Sequence, residues 1–311
     1  MMRQSGFKQK FILVLLPAII CISVIPGKEA GWPEFFDDFS YSGNGDSLIQ
    51  KNGWNIIDGF HSPPRGAYYS GENIVFSDDP GNPENRFMYL TASTQNSPES
   101  MVLARIESAL MFYEGTYAAR VFFDNHLRKT RDGNVQTFYT INTLRFPNDT
   151  LYSECDMEYL PYDLWHADGN TKSKLYLSTW GTYQENPWKA VLASDTLYQH
   201  QAGWHILLFQ VTDGKSVKYF LDRHEGAIAE HYRSPEGLSV YPESSMRISF
   251  ANWIIARPGV SPGMSEKRRQ SMMGVDWVYH AKDTALTVPQ VIRRVREMQK
   301  ASVFYVNTMQ E

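Results

Sequence analysis

Between residues 73 and 280 the chain alternates apolar and polar positions in short runs, and clusters of Gly, Pro, Asn and Asp interrupt nearly every run. The runs NIVFS (73–77), RFMYLTA (86–92), MVLARIES (101–108), GTYAARVFF (115–123), NVQTFYTINTL (134–144) and YSECDMEYL (152–160) read as strands. So do KLYLSTW (174–180), WHILLFQVT (204–212), VKYFLD (217–222), MRISFANWI (246–254) and MGVDWVYH (273–280). All are rich in β-branched and aromatic residues, and between them stand DDPGNPENR, RDGN, FPND, TDGK and RPGVSPG. Many strands at short spacing with no helical period between them predict an all-β antiparallel sandwich or barrel. No fixed-period repeat is visible, which argues against a propeller.

One segment breaks this pattern. TVPQVIRRVREMQKA carries a capping Thr287, a Pro289 in the first turn and an apolar stripe of Val291, Ile292, Val295 and Met298, so it predicts a C-terminal helix packed outside the sandwich. The alternative is a basic amphipathic helix for a membrane surface. SVFYVNT (302–308) reads as a further strand, so residues 284–311 are expected to pack on the same domain as 31–283.

Residues 1–30 have a different character. MMRQSGFKQK is positively charged and FILVLLPAIICISVI is apolar, ending at Pro26-Gly27. This predicts an export signal with cleavage between about residues 22 and 31; a membrane anchor is the alternative, although the run is shorter than the roughly 20 residues a span needs. Cys21 is also placed for lipid attachment, which would tether an exported chain to a membrane. The expected location is secreted, periplasmic or cell-surface. Once Cys21 is removed, Cys155 stands alone, which excludes an intramolecular disulfide and a thiolate metal cluster.

Composition narrows the partners. Thirty Lys and Arg face 34 Asp and Glu, for a net charge of −4, which leaves no basic excess to select nucleic acid. His166, His205 and His224 show no ligand spacing, so no metal is predicted from them.

Against that modest charge, SECDMEYLP (153–161) places Glu154, Asp156 and Glu158 at i, i+2 and i+4. On a strand all three acids share one face, while Cys155, Met157 and Tyr159 share the other. Like charges on neighbouring same-face positions destabilise a strand, so the pattern asks for a functional reason or a solvated face.

The flanks favour function. ARIESALMFYEGTYAARVFF, FYTINTL, SECDMEYLP, WHILLFQV, VKYFLDR, ISFANW and GVDWVYH, in that order, resemble the family 16 glycoside hydrolases, the laminarinase, lichenase, agarase and carrageenase group. The resemblance spans about residues 35–280 and is sharpest at ECDMEYL. It implies a concanavalin A-like β-jelly roll and a secreted, retaining endo-acting glycanase cleaving a β-linked polysaccharide, with Glu154 as nucleophile, Asp156 as its hydrogen-bonding neighbour and Glu158 as general acid/base. A lectin-like glycan-binding protein and a transglycosylase of the same fold are the alternatives. A retaining enzyme needs its carboxyl groups about 5–5.5 Å apart, whereas i and i+4 on a flat strand stand about 13 Å apart; a concave sheet is therefore expected to lean them together.

Sugars present apolar C–H faces to aromatic rings, so Trp180, Trp253, Trp165, Tyr183 and Trp188 are candidate substrate platforms, each equally readable as core. Trp180 in LSTWGTY comes first and Asn252-Trp253 second. Laminarinase-type members carry a Trp-Pro-Ala-x-Trp segment where this chain has NVQTFYTINTL, and Tyr139 is expected to stand in. No cofactor is required. The resemblance allows a structural calcium at Asp276, which reads equally as a carboxylate capping a turn.

Overall fold

The computed structural model describes residues 31–309 apart from 62–63, 65–66, 80, 96, 166–171, 199–200 and 256–266. The expected export signal, Cys21 and His166 therefore lie outside the described residues. The elements begin with β1 (Glu34–Asp37), α1 (Ser47–Lys51), β2 (Trp54–Ile56), β3 (Gly59–His61), β4 (Ala67–Tyr69), β5 (Ile74–Asp79) and β6 (Asn82–Thr94). They continue with β7 (Val102–Ser108), β8 (Gly115–Phe123), β9 (Asn134–Ile141), β10 (Glu154–Leu160), β11 (Lys174–Gln184) and β12 (Lys189–Leu197). The last are β13 (Gly203–Val211), β14 (Val217–Leu221), β15 (Ala229–His231), β16 (Arg247–Ile254), β17 (Arg269–Lys282), α2 (Val288–Lys300) and β18 (Tyr305–Asn307).

Two sheets face each other as a jelly-roll sandwich. One runs β2-β7-β16-β9-β10-β11-β12, every pair antiparallel. The other is built on the long strand β17, whose first half pairs with β6 and whose second half pairs with β8 on one side and β1 on the other. From β8 this sheet continues through β13, β14 and β15. The alternation read from the sequence decides what lies between the sheets. Cys155, Met157 and Tyr159 of β10, Leu175 and Leu177 of β11, and Phe138 and Phe250 meet Tyr117, Val121, Leu207, Phe209 and Val275 of the opposing sheet, all fully buried. Burying apolar surface on this scale, at roughly 25 cal/mol for each Å² removed from water, is the main force holding the sheets together.

The C-terminal helix forms as its sequence predicts. Thr287 N–H donates to Gln290 Oε1 at 2.8 Å, the reciprocal half of a capping box. Val288, Val291, Val295 and Met298 are buried against Phe36, Ala118, Leu208, Trp277 and Tyr279 on the outer face of the β17 sheet. Arg294 pins the helix to Glu34 of β1, and β18 pairs with the same strand. The helix lies outside the β17 sheet, whereas β18 extends that sheet beyond β1 and packs Tyr305 against Phe35 of the core between the sheets. Among the described residues no helix is long and apolar enough to cross a membrane.

Strand ends differ from expectation by a few residues, and β1 to β4, β12 and β15 have no counterpart among the predicted strands. β12, KAVLASDTL, is mostly half-buried or exposed and owes its place to pairing with β11 rather than to an apolar pattern of its own.

Candidate active site

Register along the β10 sheet sets which side chains share its solvent-facing side. Glu154 is paired with Ile141 and Trp180, Asp156 with Tyr139 and Ser178, and Glu158 with Thr137 and Tyr176. One strand further, Arg247, Ser249 and Ala251 of β16 lie beside Ile141, Tyr139 and Thr137. Beyond them Glu107 and Arg105 of β7 pair with Ser249 and Ala251. Paired residues in a sheet point to the same face. The three acids, Thr137, Tyr139, Tyr183, Arg105, Glu107, Arg247, Tyr69 and Trp253 accordingly line one depression of about 270 Å³.

Each acid has its own partners. The Tyr152 hydroxyl donates to Glu154, and the Trp180 indole Nε1–H donates to Asp156 Oδ2 at 2.8 Å. Burial raises the Glu154 carboxyl to about 7, held back by hydrogen bonds from Tyr152 and Asp156. Burial and repulsion from Glu154 carry Glu158 higher, to about 8. Burial and the charges of Glu154 and Glu158 lift Asp156 well above the usual carboxylate range, with Trp180 opposing. The cluster thus gathers three carboxyl groups that cannot all ionise near neutrality, the environment that acid–base chemistry requires.

The aromatic surroundings fall into two groups. Trp165 packs on Tyr176 at 5.2 Å and on Trp253 at 6.1 Å between ring centroids, beside the Glu158 end. Trp180, Tyr183 and Trp188 form a cluster with centroids 5.9–6.3 Å apart, beside the Glu154 end. A β-bulge falls between Trp180 and Thr182. At its centre a Cβ on Gly181 would stand 2.7 Å from the Ser239 carbonyl, so only glycine lets the 239–240 backbone pass this closely behind Trp180.

The sequence matches no protein-family model and no curated protein. Solved structures do share its architecture. The β-glucanase of Bacillus licheniformis superposes with a TM-score of 0.55 at 16% identity, over 81% of this chain and 100% of that one. A Bacteroides ovatus family 16 enzyme of a mixed-linkage glucan locus, in complex with an oligosaccharide product, gives 0.55 at 16% identity over 78% and 98%. The fold is that of the family 16 glycoside hydrolases. A pseudo β-1,3-glucanase of Mycobacterium tuberculosis superposes as well, with a TM-score of 0.56 at 14% identity over 81% and 100%. At these identities the likeness is one of architecture.

Within the family 16 fold the candidate residues separate. Glu154, Asp156, Glu158, Tyr139, Tyr183 and Trp253 line the depression. Trp165 supports Trp253 from one side. Trp180 is half-buried with its indole nitrogen committed to Asp156, so it acts on the acids as well as offering a ring; Trp188, 64% exposed, presents the open aromatic face of that cluster. Asn252 is a correction. It is fully buried on the opposite face of β16, accepting from Asn134 Nδ2 at 2.7 Å and donating to the Leu90 carbonyl at 2.8 Å. Neighbours on a strand point to opposite faces, so Asn252 and Trp253 cannot both reach one cleft.

Asp276 does not suit a calcium ion. One carboxylate oxygen accepts from Asn85 Nδ2 at 3.0 Å and the other from the Arg120 guanidinium, so a cationic side chain already balances its charge. Among the described residues no cluster of His, Cys, Asp and Glu is arranged to hold a metal. Arg105, Glu107, Arg247, Thr137 and Tyr152 are members of the site that the sequence did not indicate.

Proposed function

We propose that this chain is an endo-acting retaining glycoside hydrolase that cleaves a β-linked polysaccharide at Glu154 and Glu158. The observation that supports it is the set of three acids on one face of β10, each with its carboxyl raised above the ordinary range by burial and its neighbours. The reading assigns the ionised form to Glu154, as a nucleophile requires, and the proton to Glu158, as a general acid requires. Glu154 attacks the anomeric carbon while Glu158 gives its proton to the departing glycosidic oxygen, leaving a glycosyl ester on Glu154. Glu158, now a base, takes a proton from water, which attacks the same carbon and restores both carboxyl groups with net retention. Asp156, fixed by Trp180, bonds Glu154 and keeps it oriented.

Proton NMR of the first product formed tests this directly, because retention requires the covalent intermediate and inversion by the wild type refutes it. Glu154→Gly with azide is expected to give the inverted glycosyl azide, and Glu158→Ala with azide and an activated substrate the retained one. A second reading, glycan binding without turnover, has one observation in its favour: a pseudo-glucanase shares the fold. Absence of new reducing ends on every β-glycan tested, with binding intact, would establish it.

Export to the cell surface or medium belongs to the same proposal, motivated by the charged and then apolar start of the chain. N-terminal sequencing of the secreted protein is expected to begin between about residues 22 and 31; a cytoplasmic protein retaining Met1 refutes it.

A further inference from the structure

The depression continues past the acids, and its far side carries the opposite charge. Arg247 lies two strands from Glu154 in the same cross-strand row, and Arg105 three strands from Glu158. At about 4.8 Å per strand these are lateral distances of roughly 10 and 14 Å. Between the two arginines the floor is low, because Ser249, Ala251 and Thr137 are small and fully or almost fully buried. Tyr139 and Trp253 border it.

Among the described residues, two arginines and one carboxylate, Glu107, stand on this side of the depression. The two arginines share one acidic neighbour, Glu107, at 3.8 Å from Arg105 Nη2 and 3.8 Å from Arg247 Nε. That separation is beyond hydrogen-bond reach, so Glu107 offsets charge at a distance, and it is one carboxylate shared between two cations. Arg247 uses Nη2 on Thr143 Oγ1 at 2.9 Å, while its buried Nε has no hydrogen-bond partner among the described residues. The buried Thr137 hydroxyl, on the floor beside Glu158, likewise has none among the described residues. Neither arginine is among the groups that shift Glu154 or Glu158, so tuning the acids does not explain them. Arg105 is held over Tyr69, 5.3 Å from the ring centroid, which fixes the direction of its fork.

Two oriented forks above a recess, with a hydroxyl donor at its base, form a receptor for an anion with several acceptor oxygens. We propose that the recess binds an anionic substituent of the polysaccharide, a sulfate ester or a uronic carboxylate, on a sugar that lies two to three strands from the bond being cleaved. The substrate is then an acidic glycan rather than a neutral glucan. The proposal rests on the hydrolase reading of the same cleft for its substrate, but binding can be read without turnover.

The test is calorimetric titration of full-length Glu154→Gln with four polymers: carrageenan, chemically desulfated carrageenan, alginate and laminarin. The expected result is tighter binding to carrageenan than to its desulfated form, or to alginate than to laminarin, the preferred pair distinguishing sulfate from carboxylate. That preference is expected to weaken as salt rises, since the Debye length falls from about 10 Å at 0.1 M to about 3 Å at 1 M. Adding Arg247→Gln or Arg105→Gln should reduce the preference at least about tenfold, with Arg247→Lys recovering part of it, because lysine restores charge but not the fork. Equal affinity for charged and uncharged polymers, or a preference that survives both substitutions in proteins with unchanged near-UV circular dichroism, overturns the proposal. Reducing-end assays of the wild type on the same panel separate the two claims. Cleavage of laminarin with no charge preference refutes the anion site and leaves the hydrolase reading standing, whereas an arginine-dependent preference without cleavage does the reverse.

Discussion

Replacing Glu158 by Gln should make the protein more stable, and increasingly so as pH rises. Burial and the neighbouring charge of Glu154 raise the Glu158 carboxyl from an ordinary 4.5 to about 8. A raised carboxyl favours the folded state while it is protonated. Its contribution is fully present below about pH 4.5, diminishes as pH rises, and has become a penalty once pH passes about 8. Three to four decades of proton affinity, at 1.36 kcal/mol each, set a ceiling of roughly 4–5 kcal/mol. Glu158 is only half-buried, and solvent screening reduces this to about 2 kcal/mol. Glutamine keeps the shape and removes the charge. At roughly 2–4 °C per kcal/mol for a domain near this size, the variant should melt about 4–8 °C above wild type at pH 9 and within about 1 °C of it at pH 4.5. Differential scanning calorimetry from pH 4.5 to 9 measures the difference. A gap that stays constant or closes as pH rises would refute the electrostatic account of the cluster.

Three further expectations follow from the same geometry. The wild-type rate should peak between about pH 7 and 8, where Glu154 is ionised and Glu158 still protonated, with the alkaline limb absent from Glu158→Ala assayed on a substrate with an activated leaving group; an optimum near pH 5 would contradict the assignment. Trp180→Phe keeps an aromatic ring but removes the donor to Asp156, so kcat should fall about tenfold with KM changed less than about threefold, and a change confined to KM would make Trp180 a platform alone. Lys174→Met leaves Asp163, fully buried beside the Tyr176 hydroxyl at 2.7 Å, without its cation, which should cost about 3–5 kcal/mol in urea unfolding; a loss under about 1 kcal/mol would show that Asp163 is neutral in the folded protein.

The acid strand was legible because its information is local: a period of two, read over seven residues, assigns Glu154, Asp156 and Glu158 to one face and Cys155, Met157 and Tyr159 to the other. The helix at 288–300 was legible for the same reason, from its cap and its stripe. The arginine side of the depression was not. Arg105 and Arg247 stand 142 positions apart in the chain, and only the register of β7 on β16 and of β16 on β9 brings them to one recess. Asn252 was misplaced because proximity in sequence was read as proximity in space, against the parity of the strand. The short strands β1 to β4 lacked a pattern of their own; β1, β2 and β4 are held by strands from distant parts of the chain, and β3 by its pairing with β4.

The alternation along β10 also bears on how the protein fails on heating. Behind the acids lie Cys155 and Met157, fully buried, and the strand is flanked on both sides by β9 and β11. Glu154, Asp156 and Glu158 are thus carried on a central strand, which is expected to open only with the whole domain, and not on a loop that frays early. Heat inactivation should therefore coincide with global unfolding instead of preceding it, and amides of residues 155–159 should exchange with solvent deuterium only as fast as the whole domain unfolds.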